Sequence, residues 1–444
     1  MPSSPRSDDA ATAAMLWLGG ALIVLAALFR GGNRWAPLLA LTLIGLALLV
    51  ALAWSRPALG TLTAAPAARN VALGVLLLSP LWVALVQLLP LRRLEVGGWA
   101  PISLLPDNTW YAALSAVPVV ASMVLALAVP RQRLELLLWL WLGTACLQAL
   151  VGLLQLAFPS LYFGDAPAGQ AIGTFASRNS LGNYLAMLLP VVVLMILRPS
   201  NHGRSRSRSR HTAAGLWLWL GVLLLLLSGL LASLSRGGIA SGLLVLMLAW
   251  LLLGSPRRDD SPGAWRRWVP RLLPLAVLVF VMASGGWNWL ARFETGDAAR
   301  SLNWRDTWLA AQHFWPLGSG LGSFGAVFPR FQAPELGRWY VNQAHNEYLQ
   351  ILLECGVIAV PLALALGYLL LRRIALLWGS RRGGGGWERP DAVALACGLG
   401  FLAQALHAWV DYPWRIPATA MLGAFLLGAF LREPKPGASE RHAA

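Results

Sequence analysis

Charged side chains make up only 12% of the 444 residues, and lysine occurs once, as Lys435. So little polar surface cannot cover a soluble globule of this length, and with 57% hydrophobic residues and a mean hydropathy of +0.61 lipid becomes the main solvent. Cysteine is scarce as well. Cys146, Cys355 and Cys397 are odd in number, lack CxxC spacing and sit inside apolar runs, which excludes a disulfide framework and a zinc site. The half-length alternating segments of a β-barrel are missing, and no period of 20 to 50 residues repeats. The basic excess, formally +16, falls in short loops between apolar runs instead of on one soluble domain, so it reads as membrane orientation and not as nucleic-acid binding.

What is present is a series of apolar runs long enough to cross about 30 Å of hydrocarbon as helices. They lie at roughly 11 to 29, 36 to 54, 71 to 91, 111 to 129, 134 to 157, 180 to 197, 216 to 234, 238 to 254, 271 to 290, 347 to 371, 391 to 410 and 418 to 431. An all-α polytopic membrane protein of about 12 transmembrane helices is predicted, the short last run and the Pro190-containing run being candidates for tilt or kink. The segment MPSSPRSDDA leads into a retained first helix. The division is residues 1–290 with helices 1 to 9, 291–346 as a large periplasmic loop between helices 9 and 10 containing an amphipathic helix, 347–431 with helices 10 to 12, and a cytoplasmic tail at 432–444. The amphipathic stretch is SLNWRDTWLAAQHFW, with Leu302, Trp304, Trp308, Leu309 and Phe314 at helical spacing.

Arginines cluster in the loops Arg198–His211 (with its RSRSRSR tract), Arg257–Arg271 and Arg372–Arg389 (with GGGG at 383–386), which the positive-inside rule puts in the cytoplasm along with both termini. Alternation then gathers residues 158–179, Ser235–Gly238, 291–346 and Asp411–Pro417 on the opposite face. Arg178, Arg236, Arg300 and Arg305 lie there, and that rule gives no reason for them. Either they bind an anion or they snorkel to headgroups and helix-end carbonyls. Arg178 and Asn179 open a helix, whose N-terminal N–H groups favour a phosphate. Arg236 stands in LSRGG, where two glycines permit a tight turn and close approach of a ligand.

His345, in NQAHNEYLQILLECG, stands where the long loop enters a helix. It is either an ordinary helix-start histidine or a base able to accept a hydroxyl proton. His407 and Asp411, in HAWVDYPWRIP, form a polar pair or line the same cavity. GLGSFG matches GxGxxG, yet no strand precedes it and no βαβ unit fits, so a dinucleotide site is rejected. His313, His345 and His407 lack metal-ligand spacing.

At this point the chain resembles the O-antigen ligase and polysaccharide polymerase superfamily of bacterial envelope glycan assembly. GTFASRN is similar to the family's GTF-x-x-RN, LSRGG to its SRG turn, and RDTWLAAQHFWPLGSGLGSF to its W-R-x-x-x-x-A and P-x-G-x-G-x-G-x-F segments. QAHNEYLQILLECG is similar to A-H-N-x-Y-L-Q-x-x-x-E-x-G, and HAWVDYPWRIPA to H-x-x-x-D-x-P-x-x-x-P-A. Together they cover roughly residues 170 to 420. The RX3L pattern falls on Arg305 to Leu309 and the HN-x9-G pattern on His345, Asn346 and Gly356, with Ala359 in place of the usual Gly, Thr or Tyr.

The resemblance implies a GT-C-like fold and transfer of an undecaprenyl diphosphate-linked glycan to an acceptor on the periplasmic side of the inner membrane, without cofactor or metal. The expected acceptor is lipid A–core, which makes the protein an O-antigen ligase. A polymerase of the same superfamily is the alternative, ahead of a protein oligosaccharyltransferase or a bicarbonate-type transporter. The implied roles are His345 and Arg305 in catalysis, and Arg178, Asn179, Arg236 and Arg300 on the donor diphosphate. Asn346, Tyr348, His407 and Asp411 are expected on the acceptor or in support. Partners are the lipid-linked donor, the acceptor and the bilayer, with no nucleic acid.

Overall fold

A helix satisfies its own backbone donors and acceptors, so each apolar run can enter hydrocarbon without exposing an unpaired amide. A computed structural model describes residues 5–55, 66–93, 97–162, 169–197, 210–254, 298–337, 340–380 and 387–433. The helices are α1 (Pro5–Leu28), α2 (Trp35–Trp54), α3 (Ala67–Leu77), α4 (Ser79–Gln87), α5 (Pro106–Ser115), α6 (Val117–Ala128), α7 (Arg131–Ala157) and α8 (Arg178–Leu197). There follow α9 (Arg210–Ala232), α10 (Arg236–Leu253), α11 (Ala298–His313), α12 (Glu347–Cys355), α13 (Val360–Ser380), α14 (Arg389–His407) and α15 (Pro417–Phe430). A two-residue antiparallel ladder, Arg92–Arg93 with Trp99–Ala100, is the only sheet among the described residues.

The protein is a multi-pass membrane protein, but the expectation of about 12 spans is corrected. Among the described residues eight helices are long and apolar enough to cross a membrane, or nine if α3 and α4, bent by 62° at Leu78, count as one span. The expected run at 391–410 is α14, whose Asp391, Gln404 and His407 dilute its apolar character, and it is not among the eight. The run at 418–431 is α15, only 14 residues long, or about 21 Å of helix against about 30 Å of hydrocarbon. The helix expected at 271–290 lies outside the described residues, as do the RSRSRSR tract up to residue 209, the loop at 257–271, GGGG at 383–386 and the tail from 434. Among the described residues the long loop falls between the seventh and eighth of the eight spans, not between a ninth and a tenth. Nothing in this arrangement carries the GT-C-like part of the expectation.

At the centre stands α8, of which every residue from Ser180 to Ile196 is buried. It runs through Pro190 as a continuous helix and packs against α9, α10 and α14. The α8–α10 crossing is close because Gly182 faces Gly238: a Cβ on Gly238 would fall 3.0 Å from the Gly182 Cα. Small residues of this kind let membrane helices meet backbone to backbone. Below the crossing, Trp141, Tyr184 and Phe425 fill the core, and the buried Tyr184 hydroxyl is satisfied by Thr144 at 2.8 Å.

The helix ends opposite the N-termini of α8 and α10 carry paired arginines. Arg372 meets Glu433 at 3.0 Å, Arg373 meets Asp391 at 3.3 Å and Arg389 meets Glu135 at 2.9 Å. Arg432 donates to the carbonyls of Ala126 and Val129. Arg372 and Arg373, expected in a loop, lie within α13 and Arg389 opens α14; these arginines are tied to specific acids, in addition to any role at a membrane surface.

Candidate active site

Two buried glutamines of α7 shape the entry to α8. Gln155 accepts from the amides of Ile172 and Gly173 at 3.1 and 3.0 Å and donates to the Gly173 carbonyl at 2.7 Å. Gln148 accepts from the Thr174 amide at 2.8 Å. The GTF segment is thus fixed by side chains in place of a backbone ladder, as buried backbone groups require. It delivers Arg178 to the first position of α8, where Gln170 accepts from its guanidinium at 2.9 Å. Ser235 caps α10 by accepting from the Gly238 amide at 3.2 Å, which puts Arg236 on that helix's first turn.

These two helix starts meet the end of α14 around a small cavity of about 50 Å³, lined by Arg178, Asn179, Arg236, Arg300, His407 and Asp411. Gly237 makes the approach possible: a Cβ there would lie 2.6 Å from Val410 Cγ2 and 3.0 Å from His407 Nδ1. The His407 side chain is buried and its Nδ1 has no hydrogen-bond partner among the described residues. Its Nε2 lies 3.4 Å from Asp411 Oδ2.

The other carboxylate oxygen of Asp411 lies 3.1 Å from Nδ1 of His345. Burial pushes the Asp411 carboxyl up, but hydrogen bonds from His345 and His407 outweigh it and hold the group well below the usual carboxylate range. Asp411 is therefore an anion shared by two imidazoles. With Nδ1–H of His345 directed at Asp411, its Nε2 is the acceptor nitrogen, and the side chain is 32% exposed. The His345 backbone is left-handed, with φ of 52°, a conformation rare outside glycine. Its neighbours hold it there. Trp304 donates to its carbonyl at 3.1 Å, Asn303 donates to the Gln343 carbonyl at 3.2 Å, and the Ala344 amide donates to Gln350 at 2.9 Å. The Tyr412 ring meets the imidazole edge-on at 4.8 Å. Burial, then the negative charges of Asp411 and Glu347, push the Tyr412 phenol up to about 12, so it stays neutral.

Of the residues singled out in the sequence, Arg178, Asn179, Arg236, Arg300, His407 and Asp411 share one cavity, and His345 is joined to it through Asp411. Arg305 does not line it. Its guanidinium is 55% exposed and rests on Asp306 at 3.0 Å. Five residues along α11 turn it about 140° away from Arg300. The face that α11 buries is Asn303, Asp306, Thr307 and Ala310, whereas Trp308 and Leu309 are half-exposed. Asn346 caps α12, accepting from the Leu349 amide at 3.1 Å. Tyr348 donates to the Ala405 carbonyl at 2.8 Å and packs on Trp409 and Trp414.

Sequence reasoning missed Arg415 and its carboxylates. Arg415 pairs with Glu347 at 3.2 Å and with Glu354 at 3.0 Å, tying the loop after α14 to α12. The available signal was the pair of acids on α12, seven residues apart and therefore on one helix face, inside an apolar context that cannot leave them unpaired.

Residues 221–364, about a third of the chain, match the O-antigen ligase family. The chain carries an O-antigen ligase family domain. That ligase-family match contains Arg236, Arg300, Arg305 and His345. Arg178 and Asn179 precede the matched segment and His407 and Asp411 follow it, so the cavity draws on residues from inside the match and from both sides of it. A comparison with curated proteins finds no match.

Proposed function

We propose that this protein is a glycosyltransferase that moves a glycan from undecaprenyl diphosphate to a hydroxyl of lipid A–core on the periplasmic side of the bacterial inner membrane, that is, an O-antigen ligase. The observation that carries this reading is the single cavity in which three arginines from three helices meet the His407–Asp411–His345 relay. A diphosphate bears two to three negative charges at the level of the lipid headgroups. Guanidinium groups and the first turns of α8 and α10 match that charge and its geometry. Neutralised in this way, the diphosphate becomes a competent leaving group, with charge stabilisation supplied by arginine.

In the proposed step His345 Nε2 takes the proton of the acceptor hydroxyl as its oxygen bonds to the anomeric carbon. The bond from that carbon to the diphosphate oxygen breaks, and the electron pair leaves with the diphosphate. Asp411 holds the imidazole in the productive tautomer and stabilises the imidazolium formed. His407, when protonated, directs Nδ1–H at a phosphate oxygen. Asn179 adds a donor beside Arg178, and Arg305, outside the cavity, meets the glycan from the exposed face of α11. Attack opposite the leaving group inverts the anomeric centre. Asn346 and Tyr348 support the loop that carries the base.

The test is transfer in proteoliposomes that contain the purified chain, undecaprenyl diphosphate-linked glycan and lipid A–core. Glycan-capped core is expected with the wild type, with a loss of about 10²-fold or more in His345→Ala and Arg236→Ala. Wild-type rates in both variants would sink the assignment, and growth of the lipid-linked glycan itself without capping of core would identify a polymerase.

A further inference from the structure

A second cleft, of about 370 Å³, opens on the other side of the His345 loop and takes no part in the relay. Its size falls in the roughly 300–1,000 Å³ range of small-ligand sites. Asn108, Tyr340, Asn342, Gln343, Gln350 and Glu354 line it, with Arg415 at its base. The chemistry differs from that of the first cavity. Among the described residues its one guanidinium is already committed to Glu347 and Glu354, so none of them offers a surplus cation to a phosphate.

What the cleft offers is amide and hydroxyl capacity. Asn108 donates to the Gly322 carbonyl at 3.1 Å and keeps its own carbonyl oxygen. Gln343 accepts from Gln350 at 2.6 Å and keeps its two N–H donors. The amide of Asn342 and the hydroxyl of Tyr340 add further groups of both kinds. The ring of Tyr340, 76% exposed, is the aromatic surface of the cleft, whereas Phe324 in the same wall is buried against Phe328. Paired donors and acceptors beside an aromatic face, with no unbalanced positive charge, suit a neutral sugar, whose hydroxyls donate and accept at once and whose C–H face is apolar.

The placement ties this cleft to the reaction centre. Residues 340, 342 and 343 line it and residue 345 carries the base; two residues of chain span at most about 7 Å. Gln350, in the wall of the cleft, also holds the Ala344 amide that precedes His345.

We propose that this cleft binds a neutral sugar, the terminal residue of the acceptor, and presents its hydroxyl towards His345. The word acceptor rests on the transferase reading above; the sugar site stands on the cleft alone. The two cavities then sort the substrates by charge, the diphosphate going to the arginines and the uncharged sugar to the amides.

The test uses the full-length chain in nanodiscs and a panel of photoactivatable diazirine derivatives of glucose, galactose, N-acetylglucosamine and a heptose, each paired with its 6-phosphate. After irradiation, peptides that carry residues 322–326 and 340–343 should be labelled by at least one neutral probe. The matching phosphate should label them about fivefold less, as should the neutral probe in Tyr340→Ala and Asn342→Ala. Both substituted side chains are exposed, so folding is retained. Absence of labelling by the whole panel, or equal labelling by the phosphates, overturns the proposal.

In the transfer assay the same two variants should raise the KM for lipid A–core about three- to tenfold, the size of one lost neutral hydrogen bond, and leave the donor KM in place. An unchanged acceptor KM overturns the acceptor assignment. If the wild type transfers no glycan at all, the transferase reading fails by itself, and the labelling experiment still decides whether a sugar binds here.

Discussion

Nδ1 of His345 lies 3.1 Å from Oδ1 of Asp411, although 66 residues separate the two in the chain. The contact closes the loop before α12 onto the loop after α14, and with it the two ends of the candidate relay.

Asp411→Asn should therefore slow glycan transfer. An amide cannot stabilise the imidazolium formed as the acceptor proton is taken, nor fix the His345 ring in the productive tautomer, so the rate should fall by about 10²-fold or more. Initial rates of glycan transfer by the two proteins at neutral pH measure the loss. A wild-type rate in the variant would separate Asp411 from the base.

The same carboxylate makes a prediction about stability. A folded-state pKa below the unfolded value of about 3.9 contributes stability that is complete above the unfolded value and is lost as pH falls towards the folded one. The difference in thermal midpoint between wild type and Asp411→Asn should thus shrink as the pH drops below about 4. Differential scanning fluorimetry in detergent measures it, and a difference that grows on acidification would contradict the depressed carboxyl.

Gly237→Ala brings a methyl group to within 2.6 Å of Val410 and 3.0 Å of His407 Nδ1. The overpacking should cost about 1–3 kcal/mol and lower the transfer rate about tenfold or more through displacement of His407. Gly221→Ala is the control, since nothing lies within 4 Å of its added Cβ; it should be neutral or stabilising by about 0.5–1 kcal/mol. Equal behaviour of the two variants would remove the packing argument.

Gln155→Leu removes the acceptor for two buried amides and the donor to the carbonyls of Leu161 and Gly173. Leaving such groups unsatisfied costs about 1–3 kcal/mol each at most, and the loosened GTF segment should shift Arg178. The expected result is a lower thermal midpoint together with a raised donor KM and an acceptor KM close to wild type. A change in the midpoint alone would mean that α8 holds Arg178 without help from the loop.

The helices in the middle of the chain were legible because their composition is uniform. The run at 134–157 became α7 at Arg131–Ala157, and the run at 238–254 became α10 at Arg236–Leu253. The last two elements were misread as spans because a count of apolar residues does not distinguish a helix solvated by lipid from one solvated by other helices. Much of α14 and nearly all of α15 are buried in protein, which tolerates Asp391, Gln404 and a length of 14 residues. Within the site, arginines in unexpected places were readable one by one, but their convergence was not. Which of Arg300 and Arg305 faces the cavity depends on the rotation of α11, and the burial of Asn303, Asp306 and Thr307 in place of Trp308 and Leu309 reverses the face that hydrophobicity suggests. The Arg415–Glu354 pair spans 61 residues, and no local pattern encodes it.

The helix that begins with Arg178 is sheathed by its neighbours along nearly its whole length. Acyl chains of a different length or saturation would meet the outer helices first and would have no direct hold on this one. The depth of its guanidinium is set by protein contacts, so the registry between Arg178 and the rest of the candidate site should persist when the thickness of the surrounding bilayer changes.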